Sequence, residues 1–193
     1  MEIISRVKNI LITPKPEWQT IEAENTPHAK VFTSYVVPLA LIPAIAAFIG
    51  YGLIGYSVMG HHFGSIGFGL RQAIMQYIMM LGGTYFTAFV INALAENFGA
   101  TKNFDKAYSL IAYAYTPAFI GGIFLIIPAI SWIAFLAELY SLYLLYVGLQ
   151  PMMKQPAEKT LSYFIISLIV MVVVVVVLSI LLSLILLRGM MVV

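Results

Sequence analysis

Cysteine is absent from the 193 residues, which excludes disulfides and thiolate metal sites and leaves the redox compartment open. Charge is scarce too. Asp, Glu, Lys and Arg make up 9% of the chain, whereas soluble domains carry about 25%. With 62% of residues hydrophobic, no water-soluble core could hide so much apolar surface, and no room remains for a separate soluble catalytic domain. A net charge of +2 is too small to imply a nucleic-acid partner. The first 30 residues contain no apolar h-region, so a cleaved signal peptide is not expected. Nucleophile elbow, phosphate-binding loop and HExxH are all missing, and neither an enzyme nor a bound cofactor is expected.

What is present is a series of five long apolar stretches, near 32–58, 71–97, 107–127, 129–149 and 161–187. A hydrocarbon core about 30 Å thick needs roughly 20 apolar residues per helix. The chain therefore reads as all-α, a polytopic membrane protein with a bundle of five transmembrane helices over 31–193, preceded by a short amphipathic cytoplasmic segment over 1–30. The lipid bilayer is its first partner, and a homo-oligomer or a membrane-protein partner is open.

Orientation follows from the basic residues. Arg6, Lys8, Lys15, Lys30, Lys102, Lys106, Lys154 and Lys159 all fall on one side if the N-terminus is cytoplasmic, leaving Arg71 and Arg188 outside. The C-terminus is then extracytoplasmic.

In the N-terminal segment Ile3, Val7, Ile10 and Leu11 recur at helical spacing among Glu2, Arg6, Lys8 and Asn9, the pattern of a helix lying on the membrane surface. Thr13-Pro14 stops it, and Pro16 with Glu17 opens a second short helix through Trp18 and Ile21. Trp18 suits the interface, and the segment reads as a collar on the bundle. Within the spans Pro38, Pro43, Pro117 and Pro128 mark structural kinks or breaks. Ala40, Ala44, Ala46 and Gly50 give the first helix a close-approach surface, so it is expected to be central. The fifth, with its run of valines from Val172 to Val177, reads as an anchor.

Ionisable groups at membrane depth are costly, so each is a candidate site. Glu138 shares a helical face with Ser131, Ala134 and Ser141, a face expected to point into the bundle. It is either a proton- or cation-responsive carboxylate or a packing residue hydrogen-bonded to a Tyr or Asn of another helix. Tyr115, Tyr140 and Tyr143 are the tyrosines of the same candidate cavity. Asn92 and Glu96, one turn apart, lie near Lys102 and Lys106 and read as part of a structural ion pair. Met59, His61 and His62 occupy a Gly-rich outer loop without Asp, Glu or Cys, so no metal site is expected there.

The segment Pro14-Lys15-Pro16-Glu17-Trp18-Gln19-Thr20-Ile21 resembles the Pro, acidic and Trp signature that opens bacterial members of the Yip1 family. Ala112-Tyr113-Ala114-Tyr115-Thr116-Pro117 and the stretch from Leu139 to Leu149 are similar to that family's third and fourth helices. The resemblance runs from about Leu11 to Ser183 and implies five spans with a cytoplasmic N-terminus in the bacterial cytoplasmic (inner) membrane. It implies no more than membrane organisation as a function. The Asp-Leu-aromatic-Gly-Pro motif of GTPase-engaging relatives is missing, so GTPase binding is not implied. Two functions remain open: a non-enzymatic organiser of membrane lipid or partner proteins, and a small transporter or channel with a midplane cavity around Glu138.

The orientation is directly testable because the chain has no native thiol. His62→Cys and Lys154→Cys variants, treated with an impermeant thiol reagent in intact cells, are expected to label only at position 62. Labelling at 154 alone would invert the topology.

Overall fold

The computed structural model describes residues 3–58 and 61–191 and, within them, the side chains of all but 56–58, 61–63, 175 and 178–191. Among the described residues, five helices are long and apolar enough to cross a membrane: His28–Ile54, Ile66–Phe98, Phe104–Ile126, Trp132–Met153 and Ala157–Val174. The last belongs to a helix running Thr160–Met191. Two short helices, α1 (Ile3–Ile12) and α2 (Pro14–Glu24), precede them.

The first span begins at His28, directly after Pro27. A wide turn follows over Phe32–Val36, in which the N–H of Val37 reaches back five residues to the Phe32 carbonyl. This widening lets the chain accommodate Pro38, which has no N–H to donate and crowds the preceding turn. Pro38 thus opens the regular stretch Val37–Phe48, with Pro43 in its interior. The span stops at Ile54, where Gly55 takes φ +71°. Tyr56–Val58, expected to continue the helix, instead pair with His61–Phe63 of the Gly-rich loop as an antiparallel hairpin. It is a small β addition to a helical bundle.

Ser65 caps the second span by accepting the Phe68 N–H at 3.2 Å, and Asn103 caps the third by accepting the Lys106 N–H at 3.1 Å. The third span breaks at Tyr115 and restarts at Thr116 with Pro117 in its first turn. Pro128 opens the short turn Pro128–Ile130 before the fourth span, so it lies in the connection between helices.

The centre of the bundle is the third span, with 67% of its most apolar window buried against 39% for the first. The small-residue pattern had pointed to the first. Ala107, Ala112 and Ala114 are fully buried, as are Tyr108, Leu110 and Ile111, because neighbours approach the third span from every side. The fifth span is the outermost, only 17% buried over its window, with Ile165, Ile169, Val172 and Val173 exposed.

The N-terminal helices share this core. Ile10 and Trp18 are completely buried and Ile21 nearly so. Trp18, expected at the membrane interface, instead packs against Gly148 of the fourth span, where a Cβ would come 2.5 Å from its Cε2 atom. Gly148 is therefore the position that admits α2.

Gly148→Ala forces the buried indole to move. It is expected to cost about 1–3 kcal/mol, the usual penalty for overfilling a tight contact, read as a lower melting temperature in detergent. In a Trp132→Phe background, Trp18 emission is expected to shift to the red. Unchanged melting and emission would contradict this docking.

Candidate functional site

Glu138 lies on the fourth span six residues, about 9 Å along the axis, from Trp132. It lines an open groove of about 340 Å³ together with Met80 of the second span, Tyr115 of the third, and Phe135, Ser141 and Leu142 of its own helix. The structure thus brings Glu138, Tyr115 and Ser141 together. Glu138 itself is exposed rather than turned into the bundle. The seam against the third span uses Ala137, which meets Gly121, and Ser141 one turn further on. A residue next to Ala137 sits about 100° around the helix, outside that seam.

The groups expected to hold Glu138 are engaged elsewhere. Tyr115 shares its hydroxyl with Thr87 at 3.1 Å. Ser141 donates to the Ala137 carbonyl and accepts the Ala118 N–H, each at 3.2 Å. That N–H is left without a regular helical partner by the break at Tyr115, so Ser141 repairs the backbone there. Among the described residues, Glu138 has neither a hydrogen bond nor an ion pair.

Tyr140 and Tyr143 stack on one another with centroids 5.6 Å apart, away from the groove. The Tyr140 hydroxyl donates to the Leu11 carbonyl at 2.7 Å, tying the fourth span to α1. Asn92 and Glu96 also part company. The Asn92 Oδ1 is buried without a partner, while Glu96 faces solvent 3.7 Å from Lys102. In the loop between the first two spans Met59 lies outside the described residues, and His61 and His62 stand on the second strand of the hairpin.

A larger polar assembly was not apparent from helical periodicity. Arg6, placed by its spacing on the wet face of α1, is almost completely buried. It donates to Glu17, and to Glu24 at 2.6 Å, and its guanidinium lies 5.1 Å from the Tyr113 ring centroid. Asn9 adds a hydrogen bond to Glu17 at 3.1 Å. Burial works against the charged form of Arg6. The hydrogen bond to Glu24 and the fields of Tyr113, Glu24 and Glu17 outweigh it and raise the affinity for the proton. The sequence signal was there: Glu17 and Glu24 are two turns apart on one face of α2.

Glu22 fixes the other side of α2. Its carboxylate accepts from Lys154 at 2.9 Å and lies 3.6 Å from Lys106, whose ammonium also donates to the Glu22 carbonyl. The Lys154 hydrogen bond, then the Lys106 charge, hold the Glu22 carboxyl below its ordinary range.

A further cavity of about 570 Å³ opens where α2 meets the ends of the fourth and fifth spans, lined by Lys15, Gln19, Tyr146, Gln150 and Thr160. Sequence reading used Lys15 for orientation and Lys15, Gln19 and Tyr146 for the family resemblance, but assigned none of these residues a binding role.

The Yip1 domain profile matches residues 8–180. The inner membrane protein YohC of Escherichia coli K12 is 30% identical over 166 residues, covering 83% of this chain and 85% of the relative. The protein of the same name from Escherichia coli O6:H1 gives the same figures. No solved structure matches the chain.

Glu22 predicts a pH dependence. A carboxyl whose proton affinity is depressed by folding contributes stability above its unfolded value of about 4.3, and that contribution is lost as pH falls through the lower folded value. Glu22→Gln is expected to melt below wild type at pH 7, with the difference narrowing toward pH 3.5. A gap that is constant across this range would remove the ion pair from the account of α2 docking.

Proposed function

Because the chain belongs to the Yip1 family, we propose that it is a non-enzymatic multi-pass protein of the bacterial inner membrane that organises membrane lipid or partner proteins. The inner-membrane placement follows the named relative. A cytoplasmic N-terminus and extracytoplasmic C-terminus follow the distribution of Lys and Arg.

The observation that supports an organising role is that four tyrosine hydroxyls of the bundle interior close on neighbouring protein groups. Tyr35 pairs with Thr116 at 2.7 Å, Thr84 with Tyr108 at 3.2 Å and Thr87 with Tyr115 at 3.1 Å. The Tyr163 hydroxyl donates to the Ile91 carbonyl. Hydroxyls paired in this way rigidify a bundle and present few free groups to a solute crossing it.

A second reading, a small transporter or channel, is favoured by one feature: Glu138 is an ionisable group on the side of a groove, with no protein partner among the described residues. Flux in proteoliposomes across a panel of ions and small solutes decides between the two. Wild type and Glu138→Gln are expected to show the same low leak and, because the side chain is exposed, the same melting temperature. Flux in the wild type that Glu138→Gln abolishes would overturn the organising role in favour of transport.

A further inference from the structure

The cavity between α2 and the ends of the fourth and fifth spans has the chemistry of an anion receptor. Lys15 and Gln19 are one turn apart on α2 and so project from the same face. That face is aimed by Trp18, which is clamped on Gly148 near the Met153 end of the fourth span. Across the cavity stand Tyr146 and Gln150, and Thr160 begins the fifth helix. The Lys15 ammonium, the Gln19 and Gln150 amides and the Tyr146 hydroxyl make no hydrogen bond or ion pair among the described residues. No carboxylate lines the cavity. The nearest acids in sequence are Glu17, which is buried and engaged by Arg6 and Asn9, and Glu158, exposed on the connecting turn beside Lys159. The same turn carries Lys154, whose charge is balanced by Glu22. Lys15 has no such balance.

The location selects the kind of anion. Gln150 lies in the last turn of one span and Thr160 in the first turn of the next, so the cavity sits where helices leave the bilayer. From Thr160 the fifth helix continues with Leu161 and Ile165 exposed, an apolar surface suited to acyl chains. We propose that this cavity binds the phosphodiester headgroup of an anionic phospholipid in the leaflet that faces the N-terminal helices. Lys15 supplies the charge, and Gln19, Gln150 and Tyr146 donate hydrogen bonds to the phosphate oxygens. A dissolved phosphate ion shares this chemistry, but it would not use the adjoining apolar surface.

The site deepens the organising role and rests on it, yet the two fail separately, since that role falls on Glu138-dependent flux and the site falls on headgroup selectivity. Full-length protein in neutral detergent is titrated with phosphatidylglycerol or phosphatidylcholine, and retained lipid is counted by native mass spectrometry. Wild type is expected to retain phosphatidylglycerol about five-fold better, the weight of one basic side chain at a membrane surface. Lys15→Gln should bring the ratio close to one without changing the melting temperature in lipid-free detergent. Lys8→Gln, a lysine outside the cavity, should leave the ratio intact. Equal retention of the two lipids by wild type, or equal loss in both lysine variants, would overturn the site. Displacement of phosphatidylglycerol by millimolar inorganic phosphate would overturn the lipid as occupant and assign the cavity to a soluble anion.

Discussion

A bilayer offers no hydrogen-bond partner to a backbone N–H or carbonyl, and each orphaned group costs several kcal/mol. The bundle is organised around this constraint at the places where proline interrupts its helices. Before Pro38 the helix widens by one residue, so that the Val37 N–H still finds a carbonyl. At the Tyr115 break the Ala118 N–H is met by Ser141 from the adjacent span, and the Thr116 hydroxyl returns a bond to the Tyr113 carbonyl at 2.7 Å. Ser141 and Thr116 are thus structural supports for a bent central helix. Their polarity serves the fold before it can serve any ligand.

The two N-terminal helices obey a different rule, because they bring charge into contact with the core. A buried ion pair gains little over an apolar replacement, but removing one partner leaves the other charge stranded at a cost of about 3–5 kcal/mol. Arg6, Glu17 and Glu24 therefore act less as a source of stability than as a lock on geometry: with Arg6 nearly inaccessible, α1 and α2 have one relative placement that satisfies all three. The part-buried pairs around Glu22, more accessible than the Arg6 cluster, add a weaker restraint that ties α2 to the third span and to the turn between the fourth and fifth.

The number, approximate limits and helical character of the spans were legible because apolar length is a one-dimensional property. So were the helix stops at Thr13 and Tyr115–Pro117, where proline acts locally. What escaped was set by rotation. Helical periodicity cannot fix the last 100° that places Ala137 in the seam and Glu138 outside it, because Ala, Ser and Glu alternate there with residues equally suited to lipid. Arg6 escaped for a related reason. A cation beside Lys8 and Asn9 looks solvated until Glu17 and Glu24 approach from another helix. The cavity beside α2 likewise depends on residues more than 130 positions apart, Lys15 and Gln150, that only the folded chain makes neighbours.

Trp18 and Leu11 complete their contacts with Gly148 and Tyr140, residues that leave the ribosome long after them. The separation from Leu11 to Tyr140 is 129 residues, so at a synthesis rate of about 5–20 residues per second the first two helices wait on the order of 10 s for their binding surface. During that interval Arg6, Glu17 and Glu24 can form a hydrated cluster that keeps the nascent segment soluble. The end of the chain made first is then among the last parts to find its place, and its arrival records that the third and fourth spans have already assembled.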